Sequence, residues 1–413
     1  MKAAKIFLLA GLTGVSAVNL CFAQTWTQTS APTTNWFSIT CSADGTKVAA
    51  VNQIPPDPWL YPASPVYLST NSGTTWTPVD PDNITGSSLS WDYIASSADG
   101  TKLIASAADG PLFISADSGL DWTNIETFNS LDYAGWAGLN SLADGSKFFG
   151  VDGAIYVVSM DSGNTWTSYT PSIGYGYLNC IASSADGTKL VAGSFYNSVY
   201  TSTNSGATWS TTGPAFQLLW GSVASSADGR KLVAAVYASS VVQSNGVDVY
   251  FDGPIYTSAD SGNTWTMTSA PSNHWQSVAS SADGNTLVAA VSSGLIYTST
   301  NSGTTWIPAD APGTNWQDVA CSEDGSKLFA VVNGGGIWTA QITPTPQLSV
   351  VSTNGNLTLS WLVPSTNFVL QSSADLSSWT DLTNQPTLNL TNLQNEVFLP
   401  FSGSGGFYRL KTP

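Results

Sequence analysis

Twenty-seven acidic side chains, eleven basic ones and a single histidine bound the chemistry open to this chain. Many of the aspartates recur at fixed places. Asp117, Asp161 and Asp260 each sit in a Ser-x-(Asp/Asn)-x-Gly-x-x-Trp segment, and the other three copies carry Asn71, Asn204 and Asn301 instead. An amide in half of the copies still offers an oxygen to cap a turn but cannot act as an acid, so these six positions read as structural. Seven more, Asp44, Asp99, Asp144, Asp186, Asp228, Asp283 and Asp324, stand in turns of the Ser-x-Asp-Gly type, with Leu142 replacing the serine in the third. Each isolated turn offers too few converging oxygens for calcium. His274 stands alone, and Cys41, Cys180 and Cys321 are scattered, so neither a zinc site nor a histidine-activated nucleophile is spelled out. No metal and no cofactor is expected.

The acids outside these turns that are expected on the opposite, variable face are Asp57, Asp92, Asp109, Asp132, Asp152, Asp248, Asp252, Asp310 and Asp318. Two carboxylates roughly 5–10 Å apart across a cleft suffice for glycoside hydrolysis. Nothing in the spacing of these nine selects a pair, and solvated loop acids are the plain reading of each. The catalytic residues, if there are any, stay unassigned. Unrepeated aromatics are more informative. Trp59 and Tyr61 lie in one long insertion beside Asp57, and Tyr250 and Phe251 lie in another between Asp248 and Asp252. Rings flanked by acids form a rim for stacking a sugar or gripping a peptide. The alternative is that they pack their own long loops.

These residues hang on a repeat. The Ser-x-(Asp/Asn)-x-Gly-x-x-Trp segments run from Ser69, Ser115, Ser159, Ser202, Ser258 and Ser299, at intervals of 41 to 56 residues. A period of that size marks a propeller or a solenoid. In this pattern the chain resembles the Asp-box, or bacterial neuraminidase repeat, superfamily of β-propellers over about residues 25–342. The resemblance implies the fold and leaves function open, because the repeat serves both enzymes and binding proteins. Sialidases of the superfamily hold their substrate carboxylate with three arginines, whose planar forks pair it bidentately. Only Arg230 and Arg409 are present, so sialidase activity is not expected. Xyloglucanase-like relatives use aspartate pairs between two propellers, and one propeller is expected here. Relatives that act in photosystem II assembly present a basic patch, which this chain lacks.

Each repeat reads as four short antiparallel strands bounded by Asp-Gly and Ser-Gly turns, with no helical periodicity. The Ser-x-Asp-Gly turns and the third strands both count to seven, but the Asp boxes count to six. The orphan Thr25-Trp26-Thr27 near the N-terminus supplies the missing strand by closing the ring. The expectation is a seven-bladed β-propeller over residues 24–342. Trp36, Trp91, Trp136, Trp220, Trp275 and Trp316 each precede a turn aspartate by eight residues, and such repetition predicts packing between blades. The repeated turns must share one face. The insertions Asn52–Pro65 and Tyr237–Pro254 join second to third strands, so they decorate the opposite face, where binding is usually built.

Residues 1–23 carry Lys2 and Lys5 before an apolar run and end on Ala23, the pattern of a cleaved secretory signal. A lipoprotein is disfavoured by Leu20 before Cys21. Removing the leader takes the formal charge from −16 to −18. That balance disfavours nucleic acid, anionic membranes and polyanionic substrates. Cys41 and Cys321, placed alike in neighbouring repeats, read as buried free thiols or as a bridged pair. After a Thr/Pro linker at residues 343–346, residues 347–413 alternate as in a small β-sandwich, similar to the Ig-like or fibronectin-like modules that end many secreted bacterial proteins. The functional expectation is a secreted, periplasmic or cell-surface, monomeric, non-catalytic propeller that binds a neutral polysaccharide or an extracellular protein through its variable face. The alternative is an extracellular glycoside hydrolase using two aspartates.

Overall fold

A computed structural model describes residues 25–53, 64–80, 90–108, 111–125, 135–152, 155–169, 177–195, 197–214, 218–244, 247–342, 348–353, 356–362, 369–374, 377–384, 386–389, 394–400 and 407–411. The structure is all-β. Among the described residues, 25–342 form seven antiparallel sets of four strands, five of them separate sheets and the first and last joined in one eight-stranded sheet, each set built from strands consecutive in sequence apart from two exceptions. One is a separate hairpin inserted in the fifth sheet; the other is the seventh sheet, whose fourth strand comes from the N-terminus. The first sheet, Thr34–Cys41, Val48–Asn52, Val66–Ser69 and Thr77–Val79, shows the common order. In the last sheet, Trp26–Gln28 pairs with Ile337–Gln341 in the register Trp26↔Ala340 and Gln28↔Trp338. First and last sheets are also stitched directly by Thr34↔Gly335 and Asn35↔Asn333. The orphan Thr-Trp-Thr therefore closes the ring, as its position predicts.

Second strands such as Leu103–Ala107, Leu190–Ser194 and Leu287–Val291 are buried at every position, because a neighbouring sheet covers each of their faces. Between adjacent sheets lie the cores. One gathers Val51 and Val66 of the first sheet with Trp91, Leu103 and Phe113 of the second. The six repeated tryptophans are at most 5% exposed. Trp36, Trp91 and Trp275 each meet a third-strand ring edge-on, at 4.9 Å from Tyr67, 5.1 Å from Phe113 and 5.4 Å from Tyr297. The predicted packing role of these tryptophans holds.

Local chemistry explains the turns. In the first Ser-x-(Asp/Asn)-x-Gly-x-x-Trp copy, Gly73 N–H donates to Ser69 Oγ at 2.9 Å and Thr75 N–H donates to Asn71 Oδ1 at 2.9 Å. Asp117, Asp161, Asn204, Asp260 and Asn301 accept from the chain four residues on in the same way. Amide and carboxylate serve equally, as the sequence variation implies. The glycine is not alone in the left-handed region, however. Ser72, Ser118, Ser162, Ser205, Ser261 and Ser302, each just before that glycine, also have φ of 56–67°. A serine held there costs about 1–2 kcal/mol, which the fixed hydrogen bonds of the turn offset.

The Ser-x-Asp-Gly turns link sheet to sheet. Ala43 N–H donates to Ala98 O at 2.6 Å, and Ala98 N–H to Ala143 O, Ala185 N–H to Ala227 O, Ala227 N–H to Ala282 O, Ala282 N–H to Glu323 O and Glu323 N–H to Ala43 O, each at 2.8 Å. Lysines reinforce these links. Lys47 Nζ reaches Asp99 O at 2.9 Å, and Lys327 Nζ reaches Asp44 O at 2.8 Å across the closure. Lys102, Lys147, Lys189 and Lys231 make the same reach to the following turn.

Contacts divide the chain between Ile342 and Thr343. The second unit has two antiparallel sheets around Leu348, Leu359, Trp361, Leu370 and Val397. There Arg409 Nε donates to Gln371 Oε1 at 2.7 Å and its guanidinium lies 4.1 Å from the Trp379 ring centroid. Residues 1–23 and 343–346, expected as a leader and a linker, lie outside the described residues. Cys41, Cys180 and Cys321 are free thiols, and burial raises the thiol pKa of Cys41 and of Cys180 to about 12.

Candidate functional site

The first strands of the seven sheets neighbour one another in a closed ring and line a channel of about 660 Å³. A β-bulge follows the repeated tryptophan in most of these strands, between Trp36 and Ser38, Trp91 and Tyr93, Trp275 and Ser277, and Trp316 and Asp318. The residue after the bulge sits on the channel wall, where Ser38, Tyr93, Gly138, Cys180, Ser222, Ser277 and Asp318 occupy equivalent places in successive sheets. Side chains there fasten each sheet to the next. Ile94 N–H donates to Ser38 Oγ at 3.4 Å, Val278 N–H to Ser222 Oγ at 3.1 Å, and Val319 N–H to Ser277 Oγ at 3.3 Å.

At the closure a carboxylate takes the place of the serine. Asp318 Oδ2 accepts from Ile39 N–H and Ser38 Oγ, both at 3.0 Å, while Oδ1 accepts from Ser277 Oγ at 2.7 Å and Val319 N–H at 2.9 Å. Part of its surface opens on the channel, yet protein surrounds it closely. Burial raises its pKa, and the four hydrogen bonds act in the opposite direction. Among the described residues lining the channel, Asp318 is the only acid, and no lysine, arginine or histidine is there. Reading Asp318 as a solvated loop acid is therefore corrected. It stands on an innermost strand, in the wall of the channel. Asp92, read alike, is also on a first strand, buried, and accepts from Gln53 Nε2 at 2.7 Å. Asp152 is buried too.

Over the channel stands the fifth-sheet insertion. It is not an irregular loop: Ser240–Ser244 pairs with Val247–Phe251 as a hairpin, Val241 facing Tyr250 and Gln243 facing Asp248. Asn245-Gly246 between two alternating runs is a strong hairpin signal that the sequence offered. Tyr250 and Tyr237 join the channel lining, with ring centroids 6.0 Å apart. His274 fixes the hairpin base. Its Nε2 lies 3.3 Å from Tyr250 O, its Nδ1 lies 3.5 Å from Asp252 Oδ1, and its ring lies 5.5 Å from that of Tyr237. Tyr250 is 39% and Phe251 48% exposed, so these rings do not simply pack their own loop. Of the other predicted rim residues, Asp252 is exposed, and Asp248 lies on the hairpin opposite Gln243. Asp57, Trp59 and Tyr61 lie outside the described residues. No group of three or more metal-ligating side chains occurs among the described residues.

Comparison with solved structures places this architecture among β-propellers. YCF48 from Cyanidioschyzon merolae is similar over 76% of this chain and 98% of its own, with a TM-score of 0.58 and 15% identity. YCF48 bound to D1 peptide is similar over 78% of this chain and 98% of its own, with a TM-score of 0.55 and 16% identity. The GH74 xyloglucanase from Xanthomonas campestris is similar over 82% of this chain, with a TM-score of 0.57 and 14% identity, and this chain spans 59% of it. At such identities the likeness is one of fold. No protein-family model matches the sequence, and no curated protein does.

Proposed function

We propose that the chain is an exported recognition propeller of the Asp-box type, which binds an extracellular protein or a glycan at the hairpin-bearing mouth of its channel without catalysing a reaction. The observation that carries this reading is the pairing of exposed aromatics, Tyr250 and Phe251, with a channel whose described lining holds a single carboxylate. A two-carboxylate hydrolase needs a second acid facing the first across the site. Asp318 is held by four hydrogen-bond donors and has no second acid beside it in the described lining, so no acid–base pair is formed there. The fold is compatible with either use. One similar structure is of a protein bound to a peptide and another is of a xyloglucanase. The test is retention of the chain from Gln24 on immobilised polysaccharides and on extracellular protein fractions, with and without Tyr250→Ala and Phe251→Ala. Binding that the double variant loses, without release of new reducing ends, supports recognition. Release of reducing ends by the unaltered chain contradicts it.

A further inference from the structure

Ser38, Ser222 and Ser277 show that a hydroxyl is enough to accept the N–H of the next sheet on the channel wall. At the seventh-to-first junction the same task is done by Asp318. A buried carboxylate costs desolvation that a serine does not, and buried charges normally have a partner of opposite sign. Within this channel there is none among the described residues. Its partners are hydroxyls and backbone N–H groups only. Six of the lysines are held on the repeated turns instead, at carbonyls of the next sheet. Ring closure therefore explains an acceptor at this position but not a negative charge.

The surroundings say what the charge would meet. The rest of the wall carries no charge: Asn140, Asn179, Gln276 and Gln317 stand among apolar residues such as Phe37, Leu139 and Trp220, and Tyr237 and Tyr250 join them. A net negative protein focuses negative potential into such a cleft. Aromatic faces at the mouth attract organic cations on their way in. Anionic chain ends, a peptide carboxylate or a uronic acid, would meet like charge and no arginine.

We propose that the channel is a binding site for a slender organic ammonium group, with Asp318 as its counter-charge and Tyr237 and Tyr250 as its entrance. This deepens the recognition reading and rests on the same mouth. The chemistry is that of a primary alkylammonium, either a free amine or a lysine side chain presented by a protein.

Calorimetric titration of the chain from Gln24 with n-butylammonium, n-butanol and butyrate at neutral pH tests it. Saturable binding of the ammonium, at least tenfold tighter than the alcohol and with no binding of the acid, is expected. Equal binding of alcohol and ammonium, or none of the ammonium, overturns the proposal without any variant. Asp318→Ser keeps the acceptor that the other junctions use, and should fold and lose the ammonium at least tenfold. Asp117→Asn, a change found naturally in three other copies, should leave it unaltered. Unaltered ammonium binding by folded Asp318→Ser also overturns the proposal. A second arm uses a lysine-containing peptide and its Nε-acetylated form. Binding of the peptide that acetylation abolishes identifies the protein source, and binding of butylammonium alone identifies a free amine. If a partner is retained through Tyr250 and Phe251 yet ignores Asp318, this inference fails and the recognition reading stands. If retention ignores the two rings, the recognition reading itself fails.

Discussion

Serine and aspartate share one position on the channel wall, and the difference between them is charge. In the turns the two residues have separate roles, and aspartate is set to stay ionised. Hydrogen bonds from Ser42 Oγ and from the backbone and side chain of Thr46, with Lys327 nearby, lower the pKa of Asp44 from 3.8 to about 2. Asp99 and Asp186 are lowered to about 2 by the equivalent bonds. A lowered folded-state pKa means that the stabilisation is complete above about pH 4 and is lost as pH falls through about 2. The thermal midpoint should therefore fall on acidification from pH 4 to 2, and Asp44→Asn should make that fall shallower. An unchanged slope would remove Asp44 from the explanation. Asp318 has the opposite sign. Its raised pKa favours folding on the acid side, and this contribution is lost as pH rises through the folded-state value. Gly221 is the most constrained neighbour of the channel. A Cβ there would lie 2.4 Å from Trp275 O, a backbone atom that has little room to yield. Gly221→Ala should cost about 1–3 kcal/mol in denaturant unfolding, and a neutral result would show that the first strands can part at this point.

At the scale of elements, stability comes from rings buried between sheets and from closure by the N-terminal strand. Trp275 is fully buried against Tyr297 and Trp306. Trp275→Ala should cost about 3–5 kcal/mol, as expected for removing a large aromatic from a core. Deleting residues 24–28 removes the pairing with Ile337–Gln341 and the 5%-exposed Trp26 from beside Trp316. Such a chain should unfold at markedly lower denaturant concentration, and an equal midpoint would mean that the strand is dispensable to closure. Elements were legible in the sequence wherever chemistry repeats. The turns announce themselves because an oxygen at a fixed offset from a glycine must cap the same bend each time. Closure could be inferred because an orphan Thr-Trp-Thr faced an incomplete last repeat. The channel wall was hidden, because a bulge between Trp316 and Asp318 breaks the period-two alternation by which a strand assigns its faces. The hairpin has no counterpart in the other repeats, so its only sequence signal is Asn245-Gly246 between two alternating runs.

Within residues 25–342 lysines tie each repeated turn to the next, while the hairpin that carries Phe251 brings Tyr250 to the channel lining. The proposed recognition would use the closed ring of first strands and the exposed Tyr250 and Phe251. The measurement that tests this most directly follows the chain from Gln24 over a panel of neutral and acidic polysaccharides and lysine-bearing peptides, recording retention and reducing ends together. The account predicts retention on at least one of these ligands, lost when Tyr250 and Phe251 are both alanine, with no new reducing ends. New reducing ends that vanish on a single Asp→Asn change would contradict it and make the protein a hydrolase.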